Sequence, residues 1–221
     1  VARGTGDGEG AGLAQIETLR PVYPTADWLA TVQDRLRQRE FLTRHRLPQT
    51  AYARVDDVPS LQQALTAVGR PAVLKTRTEG YDGKGQARIG MSDDPAAAWA
   101  ALGQRPAVLE EWVGYEREVS VILARGRDGD IACYPVAENE HRHHVLHITR
   151  APARVAPVVA RRARELGAAV ADARGHVGVM AVAMALLPAG EPPLHARAPR
   201  THNPRHPTRG GAVPPHARQP P

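Results

Sequence analysis

Twelve consecutive residues constrain this chain more than any others: Lys75-Thr-Arg-Thr-Glu-Gly-Tyr-Asp-Gly-Lys-Gly-Gln86. Glycines at 80, 83 and 85 let a backbone bend sharply and come close to a ligand, while Lys75 and Lys84 bring cationic donors to the same place. Ala72 to Lys75 is a short apolar run bounded by turn formers, which predicts a buried strand. Gln86 to Gly90 can return as the second arm of a hairpin. The segment reads as a hairpin loop able to fold over phosphates. It is not a P-loop: the GxxxxGK[ST] spacing is absent, and a P-loop joins strand to helix where this loop joins two strands. Alone, the pattern fits a tight glycine hairpin with solvated lysines equally well.

The surroundings of the loop set the fold class. Residues 1–14, rich in glycine and alanine with no hydrophobic period, read as a flexible lead-in. Thr25 can cap a helix carrying Trp28, Leu29, Val32, Leu36, Phe41 and Leu42, with a break near Gln33. Ala51 to Val55 predicts a strand, and Ser60 is expected to cap a helix through Leu61, Leu65 and Val68 that Gly69 closes. Asp94 opens another helix over Ala96 to Leu102. Val108 to Val113, Glu118 to Ala124, Ile131 to Val136, Val145 to Thr149 and Val177 to Leu187 predict strands. Pro157 to Arg174 predicts a long helix with its proline in the tolerated first turn. Hairpins alternating with helices indicate an α+β fold. The tail from Pro188 has ten prolines in 34 residues, a density that blocks helix and central strand and predicts disorder.

The formal charge of +6 belongs mostly to that tail, where five arginines face one acid, leaving +2 on the first 187 residues. The tail has no Phe, Tyr or Trp to stack on bases, so nucleic acid is not an expected partner. The single cysteine, Cys133, cannot form an internal disulfide, and no signal-like segment opens the chain, so a reducing, cytoplasmic setting is expected. No apolar run reaches the ~18 to 20 residues that cross a bilayer, so no membrane partner is expected.

Eight segments occur in order: Gln33-Asp-Arg-Leu36, Lys75-Thr-Arg77, Gly80-Tyr-Asp-Gly-Lys-Gly-Gln86, Leu109-Glu-Glu-Trp-Val113, Glu116-Arg-Glu-Val-Ser120, Glu138-Asn-Glu-His-Arg142, Ala151-Pro-Ala-Arg154 and Gly178-Val-Met-Ala-Val182. Together, over about residues 20 to 213, the chain resembles the 5-(carboxyamino)imidazole ribonucleotide synthase family of ATP-grasp enzymes in purine biosynthesis. That resemblance implies an ATP-grasp fold, two α+β subdomains with a nucleotide cleft between them. It implies domain limits of 1–24 (lead-in and remnant of a Rossmann-like domain), 25–187 (ATP-grasp domain) and 188–221 (its degenerate end). A C-terminal domain would begin near Val213, and without it and the Rossmann-like domain an exposed apolar face is expected.

The implied reaction is a carbon-nitrogen ligation: ATP phosphorylates bicarbonate, and the carboxyphosphate carboxylates the exocyclic amine of 5-aminoimidazole ribonucleotide. These small molecules would be the partners, with a homodimer among the implied assemblies. By matching positions, Arg35 and Lys75 would bind ATP phosphates, and Gly80, Tyr81, Asp82, Gly83, Lys84, Gly85 and Gln86 would close over them. Glu110, Glu111, Trp112 and Val113 would form the hinge strand at the adenine edge. Glu118 would hold the ribose hydroxyls, a carboxylate being able to accept from both, and His141 would line the same site. Arg200, His202 and Asn203 would contact the phosphoribosyl substrate. The resemblance names no catalytic side chain here.

The family also implies Mg²⁺ held on two acids, as a hard cation prefers oxygen ligands. At the matching positions this chain has Ala183 and Ala196, which carry no side-chain oxygen. No metal ligand and no turnover are therefore expected. Three readings follow from the residues: a ligase fragment, a nucleotide-binding protein without chemistry, and a nucleic-acid binder resting on tail charge alone.

Overall fold

A computed structural model describes residues 6–78, 80, 84–142, 145–187 and 194–200. These residues divide into two compact units, the first running to Gly114 and including Val145, the second running from Tyr115 to Arg142 and from Leu146 onward.

The first unit opens with α1 (Gly6–Glu17), followed by α2 (Ala26–Gln33) and α3 (Arg35–Arg44). The lead-in was expected to lack structure, and α1 corrects that. Its four glycines give it little propensity of its own. The Glu17 carboxylate accepts from the Ala26 N–H at 2.7 Å, a tie to α2 that composition does not reveal. The Thr25 hydroxyl caps α2 by accepting from the Trp28 N–H. Asp34 then ends α2 and begins α3, its carboxylate accepting from the Leu36 and Arg37 N–H groups. The expected break near Gln33 is thus a cap, and Trp28 meets Phe41 edge-on across it at 5.5 Å between centroids.

Four strands follow: β1 (Tyr52–Val55), β2 (Ala72–Thr76), β3 (Gln86–Ile89) and β4 (Ala107–Glu111), in the order β1-β4-β2-β3 and antiparallel throughout. Helices α4 (Val58–Val68) and α5 (Pro95–Ala101) complete the unit. Strand alternation sends Ala72, Leu74, Ala107 and Leu109 into one core with Leu61, Leu65 and Trp99. The register sets Lys75 against Val108 and Val73 against Glu110, so Lys75 and Glu110 belong to the opposite face. The hydrophobic effect therefore fixes which face receives the charged residues.

The second unit contains β5 (Arg117–Arg125), β6 (Ile131–Cys133), β7 (Ala137–Arg142), β8 (Val145–Arg150), β9 (Gly178–Leu186) and β10 (Leu194–Arg200), with α6 (Pro157–Arg174) against them. The main path of the sheet is β10-β9-β5-β7-β8, with β6 beside β5. Val119, Val121, Leu123, Met180, Val182 and Met184 are buried. Helix α6 comes so close at Gly167 that an added Cβ would lie 3.2 Å from Val121 Cγ1 and 3.3 Å from Leu123 Cδ2.

Three expectations change in this unit. The strand expected over Ile131 to Val136 ends at Cys133. Residues 137–142, given no element by pattern, form β7. The tail, expected to be disordered, forms β10 over Leu194–Arg200, antiparallel to β9, with a register shift between Ala196 and Ala198. An edge position tolerates Pro199, which a central strand would not. Residues 201–221 lie outside the described part. Among the described residues no helix is long and apolar enough to cross a membrane.

Candidate functional site

In the first unit the charged residues gather at the base of the glycine hairpin. Lys75 sits opposite Gln86 in the β2–β3 ladder, and beyond the ladder the Thr76 N–H donates to the Gly85 carbonyl at 2.9 Å. Gly85 has φ +70°, and a Cβ there would lie 2.5 Å from Thr76 Oγ1, so this corner of the loop requires glycine on two counts. Arg35 donates from Nη1 to the Thr76 carbonyl at 3.2 Å and from Nη2 to the Gly80 carbonyl at 3.5 Å. Two cations thus stand at one turn. Gln86 and Lys84 are half-buried and exposed respectively; Tyr81, Asp82 and Gly83 lie outside the described residues.

Glu110 is the electrostatic centre of this face. Its carboxylate is buried and is met by Lys75 Nζ at 2.6 Å from Oε2, Arg39 Nη2 at 2.8 Å from Oε2 and Arg39 Nε at 3.2 Å from Oε1. Burial alone would raise its pKa, but the Lys75 and Arg39 charges prevail and hold it at about 2. The expected role of Glu110 at an adenine edge has to be set beside this observed one, because both its oxygens already accept from cations. The neighbouring hinge residues are more open: the Glu111 carboxylate accepts from the Ala51 N–H at 3.4 Å, Val113 is half-buried, and Trp112 is exposed with Arg88 stacked 4.4 Å from its ring centroid. The Trp112 N–H donates to the Pro71 carbonyl.

Asp34 and Arg77, inside the quoted motifs but given no role by the sequence, fix the helix that carries Arg35. Arg77 Nε lies 3.2 Å from both Asp34 oxygens, and the Arg35 N–H donates to the Arg77 carbonyl at 2.9 Å. Partial burial raises the Asp34 pKa, but hydrogen bonds from Arg77, Arg37 and Leu36 outweigh it and leave the carboxyl below its ordinary value. Arg39 was missed entirely.

In the second unit Glu118, Asn139 and His141 meet. Glu118 is 9% exposed; its Oε1 accepts from Asn139 Nδ2 at 3.3 Å and lies 3.6 Å from His141 Nε2. Asn139 also donates to Ser120 Oγ at 3.1 Å and accepts from Thr149 Oγ1 at 3.1 Å. A cleft of about 370 Å³ opens here, lined by Tyr115, Arg117, Glu118, Asn139, His141 and Arg150 among others. That volume lies within the range of small-molecule sites. Ser120, Asn139 and Thr149 were not singled out, although Asn139 lies within a quoted motif and Ser120 ends another.

The alanines at the two acid positions have definite places. Ala183 pairs with Ser120 on β5 and with Ala198 on β10, while Ala185 pairs with Glu118. Directly opposed residues share a sheet face, so Ala183 is on the face of Ser120 and Glu118. The Ala196 backbone pairs with Met184, one residue further along β9. Arg200 ends β10, opposite Ala181. His202 and Asn203 lie outside the described residues.

The ATP-grasp domain family model matches residues 40–215. The chain is 38% identical over 187 residues to an N5-carboxyaminoimidazole ribonucleotide synthase of Brucella melitensis biotype 1, covering 84% of this chain and 52% of that one. It is 37% identical over 209 residues to the protein of the same name from Pseudomonas aeruginosa, covering 90% and 55%. A crystal structure of an N5-carboxyaminoimidazole ribonucleotide synthetase in an ADP complex superposes with a TM-score of 0.82 at 32% identity, covering 89% of this chain and 52% of that chain. The chain therefore spans about half the length of these relatives. With its two antiparallel sheets, its glycine hairpin and the ordered motifs around them, the chain belongs to the ATP-grasp family.

Proposed function

We propose that this chain is the nucleotide-binding part of a carboxyaminoimidazole ribonucleotide synthase, in which ATP drives carboxylation of 5-aminoimidazole ribonucleotide by bicarbonate. The observation that carries the reading is the convergence of Arg35 and Lys75 on the base of one glycine hairpin, a cationic, backbone-rich turn suited to a polyphosphate. Glu118, with His141 beside it, supplies acceptors for the ribose hydroxyls, and the segment from Glu111 to Val113 lies at the adenine edge, Glu110 being held by Lys75 and Arg39. Arg200, His202 and Asn203 are assigned to the phosphoribosyl substrate. The partners are small molecules in a cytoplasmic setting.

In the reaction the γ-phosphoryl group of ATP passes to a bicarbonate oxygen, giving ADP and carboxyphosphate. The exocyclic amine then attacks the carboxyphosphate carbon, phosphate leaves, and the amine gives up one proton. Magnesium is general to such phosphoryl transfer, and the residues here do not fit it. At the two positions where the family has acids, the methyl groups of Ala183 and Ala196 offer no oxygen to a hard cation. The reading for this chain is accordingly ATP binding without turnover.

Two measurements test it. Hydrogen exchange of residues 80–86 should slow in millimolar ATP; unchanged exchange would remove the nucleotide half of the proposal. Phosphate release with bicarbonate and aminoimidazole ribonucleotide should stay at background, and magnesium-dependent release would refute the argument from residues 183 and 196.

A further inference from the structure

We infer that Arg39 is a positioning residue for Lys75: by sharing the Glu110 carboxylate it keeps that carboxylate from neutralising the Lys75 ammonium, and so sets the preference of the site for a polyphosphate. This rests on the nucleotide reading above. The three groups differ in what they can reach. The Arg39 and Glu110 side chains are 6% and 7% exposed, whereas that of Lys75 is 16% exposed and stands beside the glycine hairpin. Arg39 is too enclosed to meet a ligand. Lys75 is the open end of the cluster.

Charge balance gives Arg39 its effect. A carboxylate between two cations leaves the cluster with a net charge of +1. Without Arg39, Glu110 and Lys75 would form a neutral pair, leaving Arg35 as the remaining cation of this turn to attract a phosphate. Low-dielectric surroundings make that difference large, because interactions among buried charges are weakly screened. Geometry adds to it: the Arg39 fork takes both Glu110 oxygens, 2.8 Å to one and 3.2 Å to the other, which holds the carboxylate plane and hence the direction of the Lys75 bond. Arg39 is itself held. Its Nη1 donates to Gln49 Oε1 at 3.5 Å, and Gln49 Nε2 returns a hydrogen bond to the Arg39 carbonyl at 3.0 Å.

The test is calorimetric titration of the full chain with ATP and, separately, with adenosine, which lacks phosphate. Arg39→Gln should weaken ATP about tenfold, or ~1.4 kcal/mol, and leave adenosine within twofold. Arg39→Lys keeps the charge but cannot hold both oxygens, so it should lose about threefold for ATP and nothing for adenosine. A merely structural role would lower both ligands together, and that parallel fall would overturn the inference, as would ATP affinity that neither variant changes. Thermal melts establish that each variant is folded; if Arg39→Gln is not, the same criteria apply to Arg39→Lys alone. ATP binding by the parent chain that ignores Arg39 sinks this inference only, whereas a parent chain that binds no ATP sinks the nucleotide reading and the inference with it.

Discussion

A carboxylate as enclosed as Glu110 is tolerable only because two cations meet it, and this makes its ionisation part of the stability of the first unit. Its folded pKa of about 2 lies below the ordinary 4.5. The contribution is therefore fully present above about pH 4.5 and is lost as the pH falls toward 2, by roughly 3 kcal/mol in all. Chemical denaturation at stepped pH should show that loss in the parent chain and a much flatter profile in Glu110→Gln; equal slopes would contradict it. At this scale the motifs named Lys75, Glu110, Glu118 and His141 as residues to look at, but not the contacts they make: Glu110 between Arg39 and Lys75, and Glu118 beside Asn139 and His141. Arg39 was illegible because α3 also carries arginines at 35, 37 and 44, no quoted motif includes it, and only its burial sets it apart. Asn139 was readable as a motif letter but not as the hub between Glu118, Ser120 and Thr149, a fact of register between β5 and β7.

Elements with an apolar period were read close to their bounds: α2 begins after Thr25, α4 ends at Gly69 and α6 runs from Pro157 to Arg174, whereas the cap expected at Ser60 is Asp57, with Ser60 completing a capping box inside α4. Strand β7 escaped because Ala-Glu-Asn-Glu-His-Arg has no apolar alternation; its backbone is recruited by β5. Gly167 shows the same limit inside a helix. It costs α6 some propensity, yet it is where the helix touches the sheet, within 3.2 Å of Val121 Cγ1 for a built Cβ. Gly167→Leu should force α6 outward and lower the unfolding free energy by about 1 to 3 kcal/mol, measured by urea denaturation. A neutral result would mean that the helix can slide without loss.

Across the whole molecule, the fold class was readable from sequence, while helix α1 and strand β10 were not, since both depend on docking to neighbouring elements. The two alanines belong to this scale, because β9 and β10 are brought together only by the finished sheet. Ala183→Glu with Ala196→Glu should lower stability by about 1 to 3 kcal/mol without metal, as a carboxylate enters a mostly buried position. Magnesium should then raise the melting temperature and tighten ATP about tenfold; a double variant indifferent to magnesium would show that more than two acids are missing. Strand β10 also has a use independent of any ligand. An open sheet edge is a template on which other chains can add strands, and a proline together with a register shift spoils that template. Pro199 and the shift beside it thus leave the second unit with a guarded edge, a hindrance to self-association that does not depend on any bound ligand.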